Sequence, residues 1–148
     1  MPITATPITT SSAVGQFAAQ ADIESKFGID NVRVWSQLDN TQTTADTGRI
    51  QSALNYADAK ILGVFANFGN YAKPFTPLGT DATIVTRWAA ILAGAWLYQS
   101  RGLRDQDPDG DHIAKLAAAV ETEMLQYRAT EKLNAVRRWP TATSPTAV

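Results

Sequence analysis

The chain has 148 residues, a formal net charge of −1, 45% hydrophobic content, four tryptophans, one histidine and no cysteine. That length supports one domain with one real core, and the missing cysteines exclude disulfides and thiolate metal sites. So balanced a charge also disfavours nonspecific attachment to phosphate backbones, which rests on clustered Lys and Arg.

Residues 1–15 contain Pro2, Pro7, four threonines and two serines. They read as an extended arm, because such a segment buries too little apolar surface to offset its ordering entropy. They also lack the basic region and apolar core of a secretory leader. Val14, Phe17 and Ala18 are the expected first anchoring contacts. The stretch Ala21–Gly28 reads as a two-turn helix closed by a glycine C-cap, with Ile23 and Phe27 sharing its inner face. A second short helix is expected from a cap at Asp30 to Leu38, burying Val32, Trp35 and Leu38.

The polar loop 39–45 precedes a third helix, capped by Asp46 or Thr47. Its apolar positions, Ile50, Ala53, Leu54, Ala57, Ile61, Val64, Phe65 and Phe68, keep the 3.6-residue period for almost five turns before Gly69. Pro74 and Pro77 then rule out regular helix over 70–79. A stiff connector is predicted there, with Tyr71, Phe75 and Leu78 packed on the body. The fourth helix starts near Thr80 or Asp81 and is apolar nearly all round from Trp88, which marks it as the central element; Gly102 is its expected end. The longest apolar run, Trp88 to Tyr98, is eleven residues, short of the roughly twenty that a membrane span requires.

A last helix is predicted from about Asp111 to Arg137, with Ile113, Leu116, Ala117, Val120, Met124 and Tyr127 as its stripe and Leu133 and Val136 on a shifted line. Pro140 ends it and opens a polar tail. No run alternates apolar and polar residues long enough for a strand. The expected fold is therefore all-α, a small bundle of about four to five helices over 16–138, with the arm 1–15 and a C-terminal tail 139–148.

Candidate chemistry is sparse. Asp105, Asp107, Asp109 and Asp111, with Gly110 at the sixth place, match the opening of a calcium loop. The twelfth position, which should be a bidentate glutamate, is Leu116, and Pro108 intrudes. The plainer reading is a helix-to-helix turn whose aspartates favour the next N-terminus. His112 has no partners for a triad or a zinc site and reads as solvated. Glu121, Glu123 and Glu131 read as salt-bridge partners on an outer helix face. Trp35, Trp88 and Trp96 fall at core positions. Trp139 is different: a large amphipathic ring beside Arg137 and Arg138 has interface composition, and it could equally fold back on its own helix. No constellation supports an enzyme, and no cofactor is expected.

The layout resembles a family of tailed-phage head–tail connector or adaptor proteins, the Mu-like prophage neck proteins related to siphophage adaptors. Three segments carry the likeness: A-D-I-E-S-K-F-G at 21–28; the helix R-I-Q-S-A-L-N-Y-A-D-A-K-I-L-G-V-F at 49–65; and P-F-T-P-L at 74–78, leading into the apolar helix 86–98 and the final helix. The motifs are patterns of packing, and they span about 21–139. The arm is longer than the usual start of that family, and the tail beyond Trp139 offers no fixed pattern.

The resemblance implies a non-enzymatic virion protein, located in the neck between capsid and tail. Such adaptors form a ring, commonly of twelve copies, between the portal protein and a stopper or tail-completion protein. Genomic DNA passes through the centre without sequence-specific binding. The grip on the portal would fall to Arg137, Arg138, Trp139, Pro140, Pro145 and Val148. A tail terminator or tail-completion protein, and a calcium-responsive helical regulator resting on 105–111, are the competing expectations.

Overall fold

Helix formation follows the apolar period most closely in the middle of the chain. The computed structural model describes residues 12–37, 44–66, 71–101 and 108–136. Among these residues the protein is all-α, with helices α1 (Gln20–Phe27), α2 (Ile29–Ser36), α3 (Thr47–Phe65), α4 (Thr80–Ser100) and α5 (Pro108–Thr130). Outside the helices, Val14 pairs with Ala19 and Pro77 with Ala135 in isolated antiparallel bridges.

α3 starts at its expected cap: Asp46 Oδ1 accepts the Arg49 N–H at 3.2 Å, while the Asp46 N–H donates to Ser36 Oγ at 2.9 Å and ties the cap to α2. Ile50, Ala53, Leu54, Ala57, Ile61 and Phe65 are fully buried. Each large aliphatic among them contributes roughly 1.5–3 kcal/mol of transfer free energy. They pack on α4, where every residue from Trp88 to Ala95 is buried.

α3 and α5 both run antiparallel to α4. Arg49 Nη2 donates to Ser100 Oγ at 2.7 Å at one end, and Phe65 stacks on Trp88 at 5.8 Å at the other. Tyr127, near the end of α5, meets the edge of Trp88 at 5.2 Å. α3 and α5 therefore lie side by side on α4, joined across their gap by Lys60 and Glu121 at 3.4 Å.

α1 and α2 are separated by Gly28 alone, whose φ of 96° lets the chain turn sharply while its N–H donates to Glu24 O at 2.8 Å. Phe27 and Trp35 meet edge-on at 5.4 Å, and Trp35 meets Tyr98 at 5.2 Å. This cluster needs Gly94 on α4: a Cβ there would lie 2.1 Å from Phe27 Cε2.

The proline connector behaves as predicted at Tyr71 and Phe75, both buried, with Phe75 stacked on Phe65 at 5.2 Å. Leu78 departs from the expectation and is 41% exposed. The connector's backbone is committed elsewhere. Ala72 N–H donates to Val136 O at 2.9 Å, Leu78 N–H to Asn134 O at 2.8 Å, and Val136 N–H to Thr76 O at 2.8 Å.

Those bonds explain the largest correction. The last helix was expected over Asp111–Arg137; it begins at Pro108 and stops at Thr130. Proline suits a first helical turn, where its missing N–H costs nothing. At the other end Glu131 takes a φ of 51°, the Lys132 N–H donates back to Tyr127 O, and residues 132–136 run extended along the connector with Leu133 and Ala135 buried. The shifted line of Leu133 and Val136 thus marks a change of backbone, with Leu133 inward and Val136 exposed.

Smaller differences follow similar logic. α2 begins at Ile29 with Asp30 inside its first turn and ends at Ser36, because Gln37 is buried and its amide donates to Thr44 O at 2.7 Å. α3 ends at Phe65 and α4 at Ser100, ahead of the expected glycine stops. Leu38, Phe68, Gly69 and Gly102 lie outside the described residues.

Candidate interaction surface

The root of the N-terminal arm is fastened to the body through its main chain. Gln51 on α3 holds both polar groups of Val14: its Oε1 accepts the Val14 N–H at 3.1 Å, and its Nε2 donates to Val14 O at 2.9 Å. Two turns along, Asp58 accepts the N–H groups of Gln16 and Phe17. Thr86 Oγ lies 2.7 Å from Phe17 O, bringing α4 into the same fastening. Phe17 and Ala18 are buried as expected. Val14 is not: its side chain is 63% exposed, and Ala13 takes the inward place.

On the other flank of α3 an open trough separates it from α5, with α4 as floor. Leu92, Ala95 and Trp96 form the base, Tyr56 one wall, and Ala114, Ala117 and Ala118 the other, enclosing about 210 Å³. Trp96 is therefore half-buried at the floor of a groove, where the sequence suggested core; Trp35 and Trp88 are buried as expected. The Trp88 indole Nε1 has no hydrogen-bond acceptor. Arg49 lies over the Trp96 ring at 5.6 Å, and Lys60 lies over the Tyr56 ring at 5.8 Å. Beyond the Lys60–Glu121 bridge the trough continues past Val64 and Met124 to Leu125, 47% exposed, with a further 180 Å³ or so. The phenol of Tyr56, with the Glu121 carboxylate second, holds the Lys60 ammonium above its ordinary pKa.

No family model matches the chain, and no curated protein matches it either.

The residues assigned to a portal grip, Arg137, Arg138, Trp139, Pro140, Pro145 and Val148, lie outside the described residues, as do Asp105 and Asp107. Asp109 and Asp111 fall within α5, which starts at the fourth position of the calcium-loop pattern. A helical backbone from that point replaces the turn that Gly110 would make around an ion. His112 is exposed, beside a cleft bordered by Lys26, Asn31 and Trp35. Glu121 and Glu123 do form ion pairs, the latter with Arg87 at 3.0 Å; Glu131 is exposed at the helix end. No group of three or more His, Cys, Asp or Glu is placed to hold a metal ion among the described residues. No helix among them is long and apolar enough to cross a membrane.

The trough was missed at the sequence level, as were the side chains that fasten the arm root, Gln51, Asp58 and Thr86, although Phe17 and Ala18 were legible there as anchors. Tyr56 and Lys60 carry a faint signal, an aromatic and a charged residue at i, i+4 spacing on one side of a strongly apolar helix. Nothing in the sequence pairs α3 with α5 across that side.

Proposed function

We propose that this protein is a head–tail adaptor of a tailed phage or prophage, a non-enzymatic ring component that binds the portal on one side and a tail-side neck protein on the other. The neck assignment comes from the sequence resemblance. The observation that carries the mechanism is the fixed root of the tail. Residues 132–136 are paired with the connector through three main-chain hydrogen bonds, which hold the chain up to Val136 at a defined point on the helical body.

A chain end launched from a fixed root suits docking by ordering on a partner. The ordering cost of such docking falls on the segment that docks, and the paired root at 132–136 is already held. Repetition around a ring then adds weak contacts into a firm joint through effective concentration. Arg137, Arg138 and Trp139 supply the charged and aromatic groups that such joints favour.

Removal of residues 139–148 tests this reading. The truncated protein keeps its helical circular dichroism and melting temperature but no longer binds purified portal rings. Undiminished binding by the truncated protein overturns the assignment. Co-purification with tail tube in place of portal replaces it with a tail terminator.

A further inference from the structure

We propose that residues 131–136 are a two-state segment, in which the strap paired along the connector exchanges with a helical continuation of α5. The inference is independent of the neck assignment, because it rests on described residues of the body alone.

The stop at Thr130 is imposed on the helix from outside. Glu131 N–H donates to Arg128 O at 3.2 Å and Lys132 N–H to Tyr127 O at 3.1 Å, a double closure that ordinarily has glycine at its left-handed position. Here that position is Glu131, with a φ of 51°. A side chain with a Cβ is disfavoured there, and a return to right-handed helix relieves it. Residues 131–136 contain neither proline nor glycine, and Lys132, Leu133 and Ala135 are good or fair helix formers.

The same segment satisfies two apolar patterns. As a strap it keeps period two: Leu133 and Ala135 are buried, while Lys132, Asn134 and Val136 are exposed. On a continuous α5, Leu133 and Val136 instead join Leu125 and Ala129 at i, i+4, i+8 and i+11, within about 80° of one another. Leu125 and Val136 are both exposed in the strapped state. One stretch of sequence therefore carries a strand face and a helix face, with Glu131 as the hinge between them.

Few points hold the strap. Besides the three main-chain bonds to the connector, Asp81 Oδ2 accepts the Asn134 N–H at 2.6 Å, and the Tyr71 hydroxyl donates to Leu133 O at 3.4 Å. These bonds and the burial of Leu133 make the strap the major state of the isolated chain. Release exchanges them for helical bonds and opens the Ala72 and Leu78 N–H groups on the connector. It also carries Val136 roughly 9 Å past Thr130 along the helix axis. The two states present different surfaces, which is what a partner needs in order to shift their balance.

Carbon chemical shifts and relaxation dispersion of the full chain read both states. The amides of 131–136, with those of Ala72 and Leu78, should share one exchange process toward helical shifts. Glu131→Gly favours the left-handed hinge and should lower the helical population by about fivefold. Asp81→Ala removes the acceptor of the Asn134 N–H and should raise that population by about fivefold or more. Tyr71→Phe keeps the ring, removes one bond to Leu133 and should act in the same direction more weakly. Pro77 and Ala135 face each other as a non-hydrogen-bonded pair, a spacing that accepts a disulfide. Oxidation of a Pro77→Cys, Ala135→Cys protein should abolish the exchange, and reduction should restore it. If Asp81→Ala or Tyr71→Phe moves 131–136 to coil shifts, the strap only frays and the proposal is wrong. If the segment shows no exchange in the wild type or in either variant, the strap is fixed and the proposal also fails.

Discussion

The Asp58 carboxylate accepts two consecutive main-chain N–H groups from the arm, Gln16 at 2.7 Å and Phe17 at 3.3 Å. One side chain on α3 thereby holds the turn at Gln16 and Phe17 against the body. Charge-assisted bonds of this kind are worth more than neutral ones.

Asp58→Ala is expected to cost about 1–3 kcal/mol, read from chemical denaturation. Hydrogen exchange and limited proteolysis should rise specifically over 12–18. If protection there is unchanged, the fastening is carried by Gln51 and Thr86 instead.

Three glycines should respond with different signs. A Cβ at Gly63 meets nothing within 4 Å, so Gly63→Ala should stabilise by about 0.5–1 kcal/mol through helix propensity. At Gly94 the same change drives a methyl into the Phe27 ring and should destabilise by about 1–3 kcal/mol. Gly15→Ala meets Asp58 Oδ2 and Leu54 Cβ at 3.0 Å, and its effect should parallel that of Asp58→Ala. Thermal melts of the three variants decide the set.

Trp88 is fully buried between Phe65 and Tyr127, with its indole N–H unpaired. Trp88→Ala should cost about 3–5 kcal/mol. Trp88→Phe keeps a ring in the stack and removes the orphan donor, so it should cost clearly less. Equal losses in the two variants would mean that the N–H has an acceptor in solution.

Lys60 has a pKa raised above 10.5, so its contribution to stability is complete below that value and is lost as pH climbs through the higher folded value. Lys60→Met should therefore lower the melting temperature by a constant small amount up to about pH 10, within the range below 1 kcal/mol typical of surface pairs. The difference should vanish at higher pH. A difference that grows with alkalinity would contradict the assignment.

What the sequence makes legible is whatever rests on a single element. α3 and α4 could be read because burial alone sets their apolar pattern, and Gly28 because a sharp reversal needs a residue free to take positive φ. The end of α5 could not. Lys132, Leu133, Ala135 and Val136 are adequate helix formers by local propensity; their extended path is imposed by the connector, some sixty residues earlier in the chain. Trp96 likewise looks like core on a helical wheel. It lies on a groove floor because α3 and α5 stand apart over it, a spacing that no single segment encodes. The trough, and the bonds from Gln51, Asp58 and Thr86 to the arm root, join distant segments and were out of reach for the same reason, while Phe17 and Ala18 were legible as anchors.

The pairing of 132–136 with the connector also has a mechanical meaning. Force applied to the C-terminus along the line of that segment loads the bonds at Ala72, Thr76 and Leu78 together, and passes into the junction between α3 and α4. Force applied sideways breaks them one after another. The protein should thus hold a load well in one direction and release it easily in another, like a strip of tape that resists sliding and yields to peeling.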